Sequence, residues 1–168
     1  MERWDLYDSN LNKTGKIVTE ESQIPNGFYH MSLEIWVINS SNHVLLTKNS
    51  IDYSKRYPGS WCCIGGNLIA DETIKDGLKR ILYNKIGMTL SLEKVEIKEP
   101  IKRDPYNYAY ITCIVFENLN IKNIKFIYQN SVSAQYINKN ELIKMCNNGE
   151  IAYYLIERIN NEILKYLD

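Results

Sequence analysis

The chain carries no surplus of charge: Lys plus Arg number 20 and Asp plus Glu number 20 in 168 residues. That balance argues against a nucleic-acid or membrane-surface partner held by bulk charge, although a local basic cluster can still meet a phosphate. Histidine is scarce, with only His30 and His43. Both fall on or beside strand-like segments, which suits packed or surface residues better than a general base. No apolar run approaches the ~18 residues needed to span a bilayer. Met1 to Lys16 is polar, so no signal peptide is expected. Cysteine is limited to Cys62, Cys63, Cys113 and Cys146, with no C-x-x-C pair. A zinc site is not expected, and the thiols read as reduced residues of a cytoplasmic protein. Adjacent Cys62 and Cys63 should point to opposite faces of a strand. No repeat, low-complexity tract or long Pro/Gly/Ser linker divides the chain, so residues 1–168 read as one domain. A chain of this length buries roughly 70% of its unfolded surface and needs neither disulfide nor metal to fold.

What is present is a succession of strand signals around one central helix. Trp4 to Tyr7 suits a short first strand, and the polar residues up to Gly15 read as a turn. Ile17 to Pro25 is extended or irregular. Tyr29 to Ile38 (YHMSLEIWVI) is rich in β-branched and aromatic residues. The turn cluster Asn39 to Asn42 and then His43 to Lys48 suggest a hairpin. Asp52 to Pro58 is a polar loop, and Ser60 to Ile64 a short strand running into Gly65-Gly66.

Thr73 to Ile86 reads as a helix, because Ile74, Leu78, Ile81 and Leu82 make one apolar stripe. Asp71 is the expected N-cap and Gly87 the stop. Asp76 stands at the right spacing to pair with Arg80. Further strands are expected over Val95 to Ile101 and Ala109 to Glu117, with extended pieces at Phe126 to Tyr128 and Ala134 to Ile137. Asn138 and Glu141 match a capping box. C-terminal helices follow over about 138–167, the last with Ile151, Leu155, Ile159 and Ile163 on one face. Strands, a middle helix, more strands and terminal helices give an α/β class, a mixed sheet with helices on both faces.

The informative stretch is PGSWCCIGGNLIADETIKDGLKRILYNKIGM, from Pro58 to Met88. Gly66 is followed after five residues by Glu72, and after seven more by Arg80; Leu82, Gly87 and Met88 complete the pattern. This resembles the Nudix box. The ordered segments WDLYD, TG, PNGFYH, EIWVIN, LLTKNS and YPGSW are similar to a branch that holds isopentenyl-diphosphate isomerases and bacterial Nudix hydrolases. The resemblance covers roughly Trp4 to Phe116. It implies the Nudix α/β/α sandwich, a hydrolase of diphosphate-containing small molecules, and Mg²⁺ or Mn²⁺ as cofactor. It also implies that Glu72 and Arg80 brace the loop before the helix, with Gly65, Gly66 and Gly87 shaping the backbone.

Three departures bear on chemistry. The family carries glutamate at the positions of Ile81, Asn84 and Lys85. These positions share one helix face. Divalent cations of this kind want oxygen ligands. Ile81 offers none, Asn84 one neutral oxygen, and Lys85 a charge that repels metal. No metal is therefore expected, Glu72 being the one residual carboxylate of the pattern, and catalysis by the usual route should be weak or absent. Asp71 and Asp76 are other carboxylates, at shifted spacing. Lys48, Lys55 and Arg56 form a basic group before Pro58-Gly59, and Lys48, Arg56 and Lys85 are the candidate ligand-binding cations. Asn49 stands where the branch often has arginine. Trp36 and Trp61 read as core or pocket wall. A diphosphate-containing small molecule is the expected partner; a homodimer is compatible with the sequence. Isomerase chemistry needs a positioned acid and base, for which Cys63 and Glu99 are the only residues on offer.

Overall fold

The structure, a computed structural model, describes residues 1–168. Arg3–Tyr7 (β1) and Lys13–Thr19 (β2) form a small antiparallel ribbon. Gly15, expected in a turn, lies inside β2. The reversal falls earlier, where the Asp8 carboxylate accepts the Asn10 and Asn12 amides at 2.9 and 3.0 Å. Aspartate does this readily in turns.

The main sheet has eight strands: His30–Ile38 (β3), Val44–Asn49 (β4), Trp61–Cys62 (β5), Ile64–Asn67 (β6), Val95–Ile97 (β7), Ile101–Arg103 (β8), Tyr108–Phe116 (β9) and Ser131–Ile137 (β10). Its main path runs β10-β4-β3-β9-β7. β3 and β9 are parallel over nine residue pairs, and the other pairings are antiparallel. The sheet is therefore mixed, as expected. The expected hairpin forms, but it is short. β3 and β4 pair only at Ile38↔Val44, and then diverge. β6 takes the edge of β3, and β5 the edge of β4. That divergence opens the site described below.

Side chains alternate across β3. Met31, Leu33, Ile35 and Val37 face one core with Leu78, Ile81, Leu82 and Ile86 of the helix Ile74–Ile86 (α1). Trp36 and Ile38 face a second core, covered by Lys139–Asn147 (α2) and the C-terminal segment. Helices thus cover both faces of the sheet. The expected strand at Val95 to Ile101 is two strands, broken next to Pro100, which cannot donate to a ladder. Phe126 to Tyr128 forms no strand.

The last helix is irregular. A 3₁₀ turn at Tyr153–Leu155 leads through Ile156–Arg158 into a π turn at Ile159–Ile163, and a 3₁₀ turn at Leu164–Tyr166 follows. The four-residue spacing of Ile151, Leu155, Ile159 and Ile163 outruns the ~3.6-residue α turn. A wider π turn keeps that stripe on the sheet, and all four are buried. No helix is long and apolar enough to cross a membrane.

Candidate functional site

The loop between β6 and α1 is built first by one ion pair. Arg80 Nε and Nη2 donate to the two oxygens of Glu72 at 2.7 and 2.8 Å. Nη2 also donates to the Asn67 carbonyl at 2.7 Å. The Ile69 amide donates to Glu72 at 3.1 Å. Both Glu72 oxygens are thereby engaged in bracing the loop. Asp76 does not pair with Arg80. Its amide donates to Thr73 Oγ1 and its carboxylate accepts from the same hydroxyl, so Thr73 caps α1. Asp71, the expected cap, has φ of 65° and lies two residues before Thr73, too early to cap the helix. Its amide is tied to Asp5 at 3.0 Å. Gly87 ends α1 at φ of 68°, donating to Tyr83 O at 2.8 Å.

The glycines allow close approach. A Cβ on Gly65 would lie 3.1 Å from Leu33 O, and one on Gly66 3.1 Å from Ile81 Cγ1. Neither has a positive φ, so close approach is their role here. Gly77, which the sequence reading passed over, is the tightest: a Cβ there would lie 2.3 Å from Leu68 Cδ2. A glycine inside an otherwise helical pattern is the signal that marks it.

Between the diverging β3 and β4 lies a cleft of about 590 Å³. Ser32 and Glu34 come from β3, Thr47 and Asn49 from β4, Gly65 to Asn67 from β6, and Lys85 from α1. Lys55 and Arg56 join from the exposed loop before β5. Lys48 does not line the cleft. Thr47 and Asn49 do, and strand alternation turns Lys48 the other way, with Nζ 5.9 Å from the Trp61 ring centroid. Asn49 has a fixed role, its amide nitrogen donating to Arg56 O and Tyr57 O at 3.2 and 3.1 Å. Lys85 is half-buried, and burial lowers its pKa while Glu2 opposes the shift. Ile81 is 2% exposed and belongs to the core beneath Gly66. Asn84 is half-buried and does not line the cleft.

The sequence reading also missed Glu34 and Arg158. Arg158 Nη1 lies 2.7 Å from both Glu34 oxygens and makes a well-angled bond to Oε1 only. Its guanidinium stacks 3.6 Å over the Tyr110 ring. Burial pushes the Glu34 carboxyl up to about 7, with Arg158 and Arg103 pulling it down. A lone carboxylate within HMSLEIWVI was the available signal. Cys62 and Cys63 both line the cleft and join the second core, because the strand breaks between them. His30 is outside the cleft, stacked on Trp4 at 4.2 Å, and burial lowers its pKa to about 4. His43 lies in a separate shallow polar depression beside α2. Trp36 is core, and Trp61 packs half-buried against the same core. Glu99 is exposed and away from the cleft.

No family model matches the chain. An uncharacterized Nudix hydrolase of Listeria monocytogenes, lmo0368, is 21% identical over 165 residues, covering 96% of this chain and 95% of the relative. The protein DR0079 of Deinococcus radiodurans superposes with a TM-score of 0.72 at 14% identity, over 94% of this chain and 98% of that one. The chain has the Nudix fold, and two proteins named as uncharacterized Nudix hydrolases match it over nearly its whole length. A solved NUDIX domain, that of NrtR from Shewanella oneidensis, is complexed with ADP ribose. It has a TM-score of 0.60 at 13% identity, over 87% of this chain and 94% of that domain. A bifunctional NMN adenylyltransferase/ADP ribose pyrophosphatase of Francisella tularensis is complexed with AMP and a manganese ion. It has a TM-score of 0.58 at 15% identity, over 80% of this chain and 42% of that one.

The loop and helix of this Nudix fold do not offer the donor set that a hard divalent cation needs. Nowhere do three or more His, Cys, Asp or Glu side chains come together as a metal site. On α1 an aliphatic side chain, an amide and an ammonium stand at 81, 84 and 85, while Glu72 is committed to Arg80.

Proposed function

We propose that the cleft binds a diphosphate-containing small molecule, of the nucleoside-diphosphate-linked kind, with metal-dependent hydrolysis weak or lost. The observation that carries this reading is Lys85. It lines the cleft at a position where the resemblance puts a metal-binding glutamate, and an ammonium there attracts phosphate directly. Arg56 and Lys55 add positive charge from the facing loop. A phosphate beside the half-buried Lys85 would favour its charged form against the pull of burial. Gly65 and Gly66 of β6 form part of the cleft wall. ADP ribose, bound by the Shewanella relative, is an apt probe. The isomerase-like reading draws no support from its residues: burial drives the Cys63 thiol well above its ordinary value, and Glu99 lies outside the cleft.

Isothermal titration tests the reading. Inorganic pyrophosphate and ADP ribose are titrated with Mg²⁺, with Mn²⁺ and with a chelator. Equal affinities in all three are expected, and Lys85→Glu should weaken binding roughly tenfold or more, the scale of a lost charge-assisted bond. Binding that requires metal, or a Lys85→Glu protein that binds without metal as well as the wild type, would overturn it.

A further inference from the structure

We infer that the deep end of the cleft recognises a hydrogen-bond donor on the non-phosphate half of the ligand, with Glu34 as acceptor, and so selects amino- or hydroxyl-bearing diphosphates over alkyl diphosphates. This rests on the reading of the cleft as a diphosphate site and names the class of its other half.

The inference begins with an ion pair that is incompletely made. Glu34 lies between Leu33 and Ile35 on the central strand and is 6% exposed. An arginine that only neutralises a buried carboxylate does so best as a two-pronged fork. Arg158 instead offers one nitrogen to both oxygens. Oε2 of Glu34 meets that nitrogen at 2.7 Å but outside hydrogen-bond angle, it has no contact with bulk water, and Arg158 Nε is unpartnered. Apolar residues of similar volume would stabilise such a position at least as well as a half-satisfied pair. A buried acceptor left without a well-angled bond, on a residue that lines a cleft, instead points to a group that comes and goes.

The order of charges fits that group. The cations Lys55 and Arg56 stand exposed and Lys85 half-buried, whereas the carboxylate is the buried member of the lining. A phosphate is attracted by the former and repelled by the latter, so the two ends of one ligand are sorted by charge. Burial keeps the neighbouring Cys63 thiol and Tyr154 phenol neutral, so neither competes as an anion. The terminal torsion of a glutamate is soft, and a small rotation turns Oε2 toward an arriving N–H or O–H. An alkyl chain in its place would leave the carboxylate unpaired, and sites built to hydrogen-bond reject such analogues strongly.

The test titrates ADP ribose, geranyl diphosphate and inorganic pyrophosphate into three proteins: wild type, Glu34→Gln and the charge-balanced Glu34→Leu/Arg158→Met. Wild type should prefer ADP ribose over geranyl diphosphate by roughly tenfold or more. The double variant should keep its pyrophosphate affinity and lose that preference. Glu34→Gln, which retains shape and the Arg158 side chain, should weaken ADP ribose several-fold and leave pyrophosphate unchanged. It decides the matter if the double variant does not fold. Pyrophosphate binding without a preference between the two organic ligands overturns this inference alone, as does an unchanged preference in either variant. Failure of wild type to bind pyrophosphate or ADP ribose overturns the underlying diphosphate reading.

Discussion

Glu72 and Arg80 are held by four charge-assisted hydrogen bonds, and the arginine is the member that can be removed most informatively. Arg80→Met leaves the Glu72 carboxylate, its side chain 7% exposed, without its cation. A loss of about 1–3 kcal/mol is expected, the penalty for an unsatisfied buried acceptor, read as a lower denaturation midpoint. A stability equal to wild type would remove the bracing role. Gly77→Ala should also destabilise, by about 1–3 kcal/mol as an overpacked contact, although alanine is the better helix former. Thermal unfolding of the two proteins side by side checks this. The pair Glu72 and Arg80 was legible because a fixed spacing defines it. Lys48 was not, because its direction depends on a strand register that β10 and β5 set from far along the chain. Gly77 was legible in principle, but what it touches is Leu68, in a loop whose path the sequence does not reveal.

At the scale of elements, the start of α1 is the sharpest contrast between sequence and structure. Asp71 and Thr73 are both good capping residues, and only the backbone decides between them. Thr73→Ala should cost about 0.5–2 kcal/mol, as the loss of a helix cap does. Asp71→Gly should be neutral or stabilising, because glycine accepts φ of 65° without strain. Urea unfolding of both variants distinguishes the assignments, and the opposite ranking would return the cap to Asp71. β3, β9 and α1 were readable from local pattern alone. The hairpin expected of β3 and β4 is cut short for a non-local reason. The Gly65-Gly66 strand competes for the same edge of β3 and wins it over Ser32 to Ile35. The cleft is a consequence of that competition, which is why the sequence named its cations more readily than its walls.

For the whole molecule, the pair Glu34–Arg158 ties the C-terminal segment to the centre of the sheet and should show in the pH dependence of stability. The Glu34 carboxyl is raised to about 7 by burial, against an ordinary value of 4.5. Between those values the folded state holds a proton that the unfolded chain has lost. Stability from this group therefore falls as pH rises through that window, and the loss is complete above it. His30 runs the other way. Its value is lowered from 6.5 to about 4, so the unfolded chain gains a proton first and stability falls as pH drops through that range. Denaturant titrations at a series of pH values should show wild type losing stability relative to Glu34→Gln as pH rises from about 4.5 to about 7, with the difference constant above that. A constant difference would contradict the assignment.

Restoring carboxylates bears on activity as well as binding. Asn84→Glu and Lys85→Glu place charges on half-buried positions, whereas Ile81→Glu would drive one into the core and should unfold the domain before it informs on chemistry. The most direct measurement is therefore turnover of a panel of nucleoside-diphosphate-linked compounds in Mn²⁺ and in chelator, using wild type and Asn84→Glu/Lys85→Glu. With Lys85 serving as a metal-free phosphate contact, wild type should release no nucleotide or phosphate above a heat-killed control in either condition while still binding ADP ribose. Strong Mn²⁺-dependent turnover by the wild-type protein would contradict it.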